Sequence, residues 1–177
     1  MTGVDINPDR IKLLWKKYNI NVIKVDSEQE LLPFKIDSYD IILFFEIIEH
    51  LRINPLYALR EAYRTLKQGG QIIVSTPNIT PIDRIDFLLG RNFQEEPVEA
   101  FKKLETLDYM GYLRLYTTNE VQNFLESVGF EVTSYTYKGN YIRTGWKAKI
   151  IMKLPIYKKE QFRPHLYMFA KKPSSLQ

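Results

Sequence analysis

The run Tyr39–Phe45, YDIILFF, is what most restricts the fold of this chain. It is apolar almost without interruption, whereas a strand with one wet face alternates apolar and polar side chains. Such a run suits a parallel strand covered on both faces. Parallel neighbours cannot be joined by hairpins; they need crossovers, usually helical. The flanking sequence supplies that rhythm. Thr2–Ile6, Val22–Val25, QIIVSTP (71–77), FEVTSYTYK (130–138) and Leu166–Ala170 read as further strands.

Between the strands lie helical patterns. Asn7-Pro8 opens one over Pro8–Tyr18, with Ile11, Leu14, Trp15 and Tyr18 on one face. Asn54-Pro55 opens a second, running to about Leu66, with Leu56, Leu59, Ala62, Tyr63 and Leu66 inward. KQGG stops it, Gly69 and Gly70 supplying a left-handed exit. Pro81–Leu89 carries Ile82, Ile85, Leu88 and Leu89 on one side. Thr117 and Glu120 have capping-box spacing, and the helix they open ends at Gly129. The alternation predicts an α/β domain over 1–172 with a mostly parallel sheet, helices on both faces and a short tail, 173–177. The last two strands, with no clear helix between them, pair antiparallel. The 79–115 stretch is longer than an ordinary connection, contains the acidic QEEPVEAF, and suits a lid or substrate wall.

Bulk properties narrow the classes. A chain of 177 residues fits one domain, and 45% hydrophobic content provides a sizeable core. A run of about 18 apolar residues, the mark of a membrane span, is lacking, as is a basic-then-apolar leader at the start. With no cysteine, disulfides and thiolate metal sites are excluded. These features suit a cytoplasmic protein. Net charge is +4, but 138–172 carries ten bases and one acid. That segment could meet an anionic partner, and WKAKIIMKLPIYKK (146–159) could lie on an anionic membrane. A solvated rim is the favoured reading, because the arginine-rich, glycine-spaced character of a nucleic-acid surface is missing.

Ligands in open α/β sheets sit beyond the carboxyl ends of the strands. There the sequence places Asp5-Ile6-Asn7, Asp26-Ser27, Glu46 through His50, and Thr76-Pro77-Asn78. An ionised Asp5 can accept from both hydroxyls of a ribose, and Asp26 can accept from an exocyclic amine. An isolated acid after a strand is usually a turn or cap residue; three at one edge shift that balance.

In order along the chain stand GVDINPDRI, VIKVDSEQELLPF, YDIILFFEIIEHL, ALREAYRTLKQGGQIIVSTPN, GYLRLYT and FLESVGFEV. From Gly3 to about Val132 this set resembles the class I S-adenosylmethionine-dependent methyltransferases. The likeness is to the small-molecule and lipid-type branch with an E-H-L motif. The resemblance implies a Rossmann-like sheet ordered 3-2-1-4-5-7-6, its last strand antiparallel, and S-adenosylmethionine as cofactor. It assigns Asp5, with Ile6 beside it, to the cofactor's ribose, and Asp26 and Ser27 to the adenine. Phe45 and Glu46 fall at the exit that passes under the methionine moiety, and 79–115 shapes the acceptor pocket. The acceptor is expected to be a small molecule or lipid. The sequence leaves the oligomer open.

The family's first strand and G-x-G loop have no counterpart here; the eight glycines include no G-x-G. That strand is the middle one of the family sheet. The sequence therefore reads as a fragment or mis-started frame, or as a non-catalytic remnant acting as a partner or scaffold. Internal consistency favours the fragment. The chain alone is then expected to bind the cofactor weakly or not at all.

Glu46, Glu49 and His50 have the i, i+3, i+4 spacing that puts side chains on one face of a turn. Such a set could hold Mg²⁺ or Mn²⁺, as in ubiquinone-pathway and small-RNA 2′-O-methyltransferases that it resembles. The favoured reading is a hydrogen-bonding pocket, with no metal assigned. His50 is the candidate general base. A nicotinamide oxidoreductase, which shares the ribose acid, has no use for this turn.

Overall fold

The computed structural model describes residues 1–79, 81–90, 96–107, 111–112, 114–139, 155 and 159–174. The strands are β1 (Thr2–Asp5), β2 (Asn21–Lys24), β3 (Tyr39–Phe45), β4 (Leu66–Pro77), β5 (Glu131–Lys138) and β6 (His165–Lys171). The helices are α1 (Lys12–Lys17), α2 (Pro55–Thr65), α3 (Pro81–Leu88), α4 (Pro97–Leu107) and α5 (Thr118–Val128).

The strands form two sheets. One is β1–β2, parallel; the other is β3–β4–β6–β5, in which β3–β4 is parallel and β6 runs antiparallel to both β4 and β5. Antiparallel pairing therefore dominates the larger sheet, more than βα alternation predicts, because β6 lies between β4 and β5 and pairs with both.

Alternation along β3 sends Ile42 and Phe44 to the face that α2 and α5 cover. There, with Ile72 and Val74 of β4 and Leu166 and Met168 of β6, they meet Leu59, Ala62, Val121 and Leu125. Ile41, Leu43 and Phe45 point the other way and are 57%, 50% and 42% exposed. YDIILFF is thus buried on one face only.

The helix of Pro8–Tyr18 divides into a 3₁₀ turn over Pro8–Ile11 and α1, with no fully buried residue; Leu14 and Tyr18 are exposed. Ile85, Leu88 and Leu89 are exposed as well. The second half of the acidic stretch QEEPVEAF lies in a helix, α4.

Helix α2 ends at Thr65, before KQGG, with Leu66 already extended. Gly69 alone takes positive φ, +73°. Gly70 is required for closeness instead: a Cβ there would stand 2.9 Å from the Lys67 carbonyl oxygen and 3.0 Å from that of Asp40. The capping box of α5 forms as expected. Thr117 Oγ1 accepts from the Glu120 N–H, Glu120 Oε2 accepts from the Thr117 N–H, and Gly129 closes the helix at φ 108°.

Within the segment read as a solvated rim, 138–172, Lys172 is the exception among the described basic residues. It is buried, and its Nζ donates to Asp37 Oδ1 at 2.8 Å and to the carbonyls of Tyr63 and Leu66 at 3.0 and 2.8 Å. The cation sits at the carboxyl end of α2, where the helix dipole favours it. Residues 140–154 and 156–158, which carry most of the proposed membrane-facing segment, lie outside the described residues. Among the described residues, no helix is long and apolar enough to cross a membrane.

Candidate functional site

β1 and β3 do not pair, and a cleft of about 810 Å³ lies between them. Its walls are apolar, with Val4, Ile6, Val25, Ile47 and Leu51 among them. Asp5, Asp26, Ser27, Glu46 and His50 line it too. Residues from the carboxyl ends of β1, β2 and β3 thus meet at one cavity. Phe45 is not among the lining residues; its ring packs edge-on against Tyr167 at 6.0 Å.

Asp5 ends β1. Its Oδ1 accepts the Asn7 N–H at 2.7 Å, and its carbonyl accepts the Val25 N–H. The first bond fixes the carboxylate against the turn into Pro8. Asp26 is tied more heavily: Oδ1 takes the Glu28 N–H at 3.0 Å and Oδ2 the Gln29 side-chain amide at 2.7 Å. It nucleates the turn after β2. Because each carboxylate oxygen has two lone pairs, both acids keep acceptor capacity toward the cleft.

Glu28, which sequence reasoning passed over, holds the cleft's floor together. Its buried carboxylate accepts the N–H groups of Arg52, Ile53 and Asn54 at 2.9, 2.6 and 2.9 Å. It thereby satisfies the chain leading into α2 and ties the β2 exit to the β3 exit. Glu61 and Arg64 of α2 add bonds to Leu32 and Phe34. A repeat of acids in DSEQE gave no hint which one faces inward.

The turn after β3 is strained and charged. Glu46 has φ 52°, in the left-handed region that non-glycine residues avoid. Its N–H donates to the Ser75 carbonyl, and its Oε1 accepts from Ser75 Oγ at 2.8 Å. His165 Nδ1 lies 3.6 Å from the same Oε1. Glu49 is fully buried. One oxygen accepts from Thr76 Oγ1 at 3.0 Å; the other has no hydrogen-bond partner among the described residues. Burial, reinforced by the Glu46 charge, pushes the Glu49 carboxyl up to about 7.

His50 Nδ1 lies 3.2 Å from the Gly111 carbonyl oxygen. A carbonyl only accepts, so this contact requires the proton on Nδ1 and leaves the lone pair on Nε2 in the neutral ring. Nε2 stands 3.9 Å from the Glu49 carboxylate, and Tyr112 packs at 5.2 Å from the imidazole. Among the described residues no group of three or more His, Cys, Asp or Glu is arranged to hold a metal ion.

Residues 1–135 match the family model described as a methyltransferase domain. An uncharacterised protein of Methanocaldococcus jannaschii is 33% identical over 129 residues, 73% of this chain and 55% of its own length. A ubiquinone/menaquinone biosynthesis C-methyltransferase of Agrobacterium fabrum is 30% identical over 148 residues, 75% of this chain and 54% of its own. The chain thus spans about half the length of these curated relatives. Among solved structures, an S-adenosylmethionine-dependent methyltransferase of Thermotoga maritima superposes with a TM-score of 0.60 at 22% identity. That superposition covers 97% of this chain and 72% of the other.

Proposed function

Because the chain belongs to the S-adenosylmethionine-dependent methyltransferase family, we propose that its cleft is the adenosyl-binding half of a methyl-transfer site. The convergence of Asp5, Asp26, Ser27, Glu46 and His50 on one cavity carries this reading. The donor set fits the group. Acids with spare acceptor capacity suit ribose hydroxyls and an adenine amine, and the apolar walls suit the faces of a purine. Ile6, next to Asp5, would close the ribose side and Glu46 would meet the methionine end of the cofactor; Phe45, packed on Tyr167, does not line the cleft. The bound cofactor supplies a methyl group already activated on a sulfonium.

The chain's own contribution is placement and proton handling. Asp5 orients the sugar through its rim carboxylate. Nε2 of His50, whose tautomer the Gly111 carbonyl sets, takes the proton from the acceptor's nucleophilic atom. Orientation of acceptor against donor accounts for much of the rate advantage in such a transfer. The acceptor is a small molecule or lipid; residues 80, 91–95, 108–110 and 113 of the 79–115 stretch expected to line its pocket lie outside the described residues.

Titration of isotope-labelled chain with S-adenosylhomocysteine, followed by amide chemical shifts, tests this. Shifts are expected at Asp5, Ile6, Asp26, Ser27 and Glu46, weak in affinity, and Asp5→Ala is expected to weaken binding about tenfold, the loss of one charge-assisted contact. Saturating ligand that moves none of these amides, or an unchanged affinity in Asp5→Ala, overturns the assignment.

A further inference from the structure

A second cavity, of about 640 Å³, shares no lining residue with the cleft. It is bounded by the turn after β4, the start of α5, the end of β5 and the 3₁₀ turn Glu160–Phe162, with Arg84 of α3 also lining it. Its size suits a small ligand. Where the walls of the cleft are apolar, those of this cavity are mostly hydroxyls and amides.

Asn78 carries the case for a ligand. The residue is only 8% exposed, and its Nδ2 donates to the carbonyls of Gln161 and Arg163 at 3.0 and 2.9 Å. Carbonyls only accept, so this pair fixes the amide and turns Oδ1 away from them, on a residue that lines the cavity. Oδ1 accepts no hydrogen bond among the described residues. A sheltered acceptor of this kind is normally met by a donor.

The surrounding groups both donate and accept. Thr118 Oγ1 and the Tyr137 hydroxyl lie 2.6 Å apart. One donates to the other, so the pair keeps one hydroxyl proton to give and lone pairs to accept with. The N–H groups of Thr118 and Asn119 precede the first intrahelical bond of α5, from the Val121 N–H to the Thr117 carbonyl. Tyr135 is 53% exposed and adds an aromatic ring, held edge-on to Tyr137 at 5.9 Å. Charge is balanced and disfavours an anion. Arg84 brings a cation and Glu160 a carboxylate. The amino end of α5 is already met by Glu120, which accepts the Thr117 N–H at 2.8 Å and pairs with Arg114, so the helix dipole is offset.

We infer that this cavity is a carbohydrate site that takes a neutral pyranose. Each sugar hydroxyl donates and accepts at once, as the lining groups do. The C–H bonds of the sugar ring are weakly positive and pack on the negative face of an aromatic ring, here Tyr135. Asn78 Oδ1 accepts from one sugar hydroxyl, and the Thr118–Tyr137 pair exchanges hydrogen bonds with another. This inference goes beyond the methyl-transfer reading and does not need it, since its readout lies at residues outside the cleft.

The test titrates isotope-labelled chain with the methyl glycosides of glucose, galactose and mannose, and separately with sodium phosphate at matched ionic strength, following amide shifts. At least one glycoside is expected to move Asn78, Thr118, Asn119 and Tyr135–Tyr137 saturably below about 100 mM, with Asp5, Asp26 and Glu46 unmoved. Tyr135→Ala, at an exposed ring, is expected to keep a folded spectrum and weaken that glycoside about tenfold. Asn119→Ala, at another exposed position, is expected to weaken it about threefold. Glycosides that move none of these amides overturn the proposal, as does an unchanged affinity in both folded variants. Phosphate that moves the same amides at lower concentration than any glycoside overturns it as well, because the cavity then selects an anion.

Discussion

Glu46 and Glu49 stand three positions apart and have opposite surroundings. Glu46 reaches Ser75 and His165 at a partly exposed site; Glu49 is sealed under Thr76. Because the folded pKa of Glu49 lies above its ordinary value of 4.5, the native state holds a proton that the unfolded chain releases as pH rises. Stability from this group is complete below about pH 4.5, falls through the window up to about 7, and stays low above it. The loss is roughly 3 kcal/mol at full extent. Glu49→Gln should remove that slope, so urea unfolding at pH 8 should show the variant more stable than the parent, with the difference vanishing near pH 4. Lys172 is the opposite case, a buried cation with three acceptors. Lys172→Met should cost about 2–4 kcal/mol, because it strands two helix-end carbonyls and the Asp37 carboxylate. Equilibrium denaturation checks it, and a loss under 1 kcal/mol would show that these acceptors find other partners.

At the scale of elements, local chemistry and tertiary packing divide the work. α5 has its start and stop written in side chains: Thr117, Glu120 and Gly129. Thr117→Ala should lower stability by about 1 kcal/mol, and Gly129→Ala by a similar amount or more through the φ of 108°. Thermal unfolding measures both. α1 and α3 show what propensity cannot supply. Both have apolar residues at helical spacing, yet Leu14, Ile85 and Leu88 remain exposed, because a face is buried only where another element arrives to cover it. α4 was not read from the sequence, where QEEPVEAF registered only as an acidic stretch in a long connection. Pro97 sits at a helix start, where its missing N–H costs nothing.

Over the whole molecule, the β1–β2 sheet is held to the four-stranded sheet mainly through side chains. A two-stranded sheet is marginal by itself, and Glu28, Glu61 and Arg64 provide the ties. Glu28→Ala should therefore loosen one part and spare the other: amide exchange over Asn21–Phe34 about tenfold faster, exchange in β4 and β6 unchanged. Uniform acceleration would show that the two sheets unfold as one unit.

Periodicity, caps and strand-tip acids were readable in the sequence because each depends on residues a few positions apart. From them came the strands, α2, α5, the antiparallel final pair and the resemblance to the methyltransferases. They also yielded the candidate residues Asp5, Asp26, Ser27, Glu46 and His50, which the fold brings to one cleft. Only the tertiary structure decided which acid is sealed, which lysine is buried, which face of YDIILFF stays bare, and that Phe45 packs on Tyr167. Those outcomes depend on groups up to 135 positions apart, as Asp37 and Lys172 are. Burial and desolvation are properties of that assembled surface, and no local window of residues contains them.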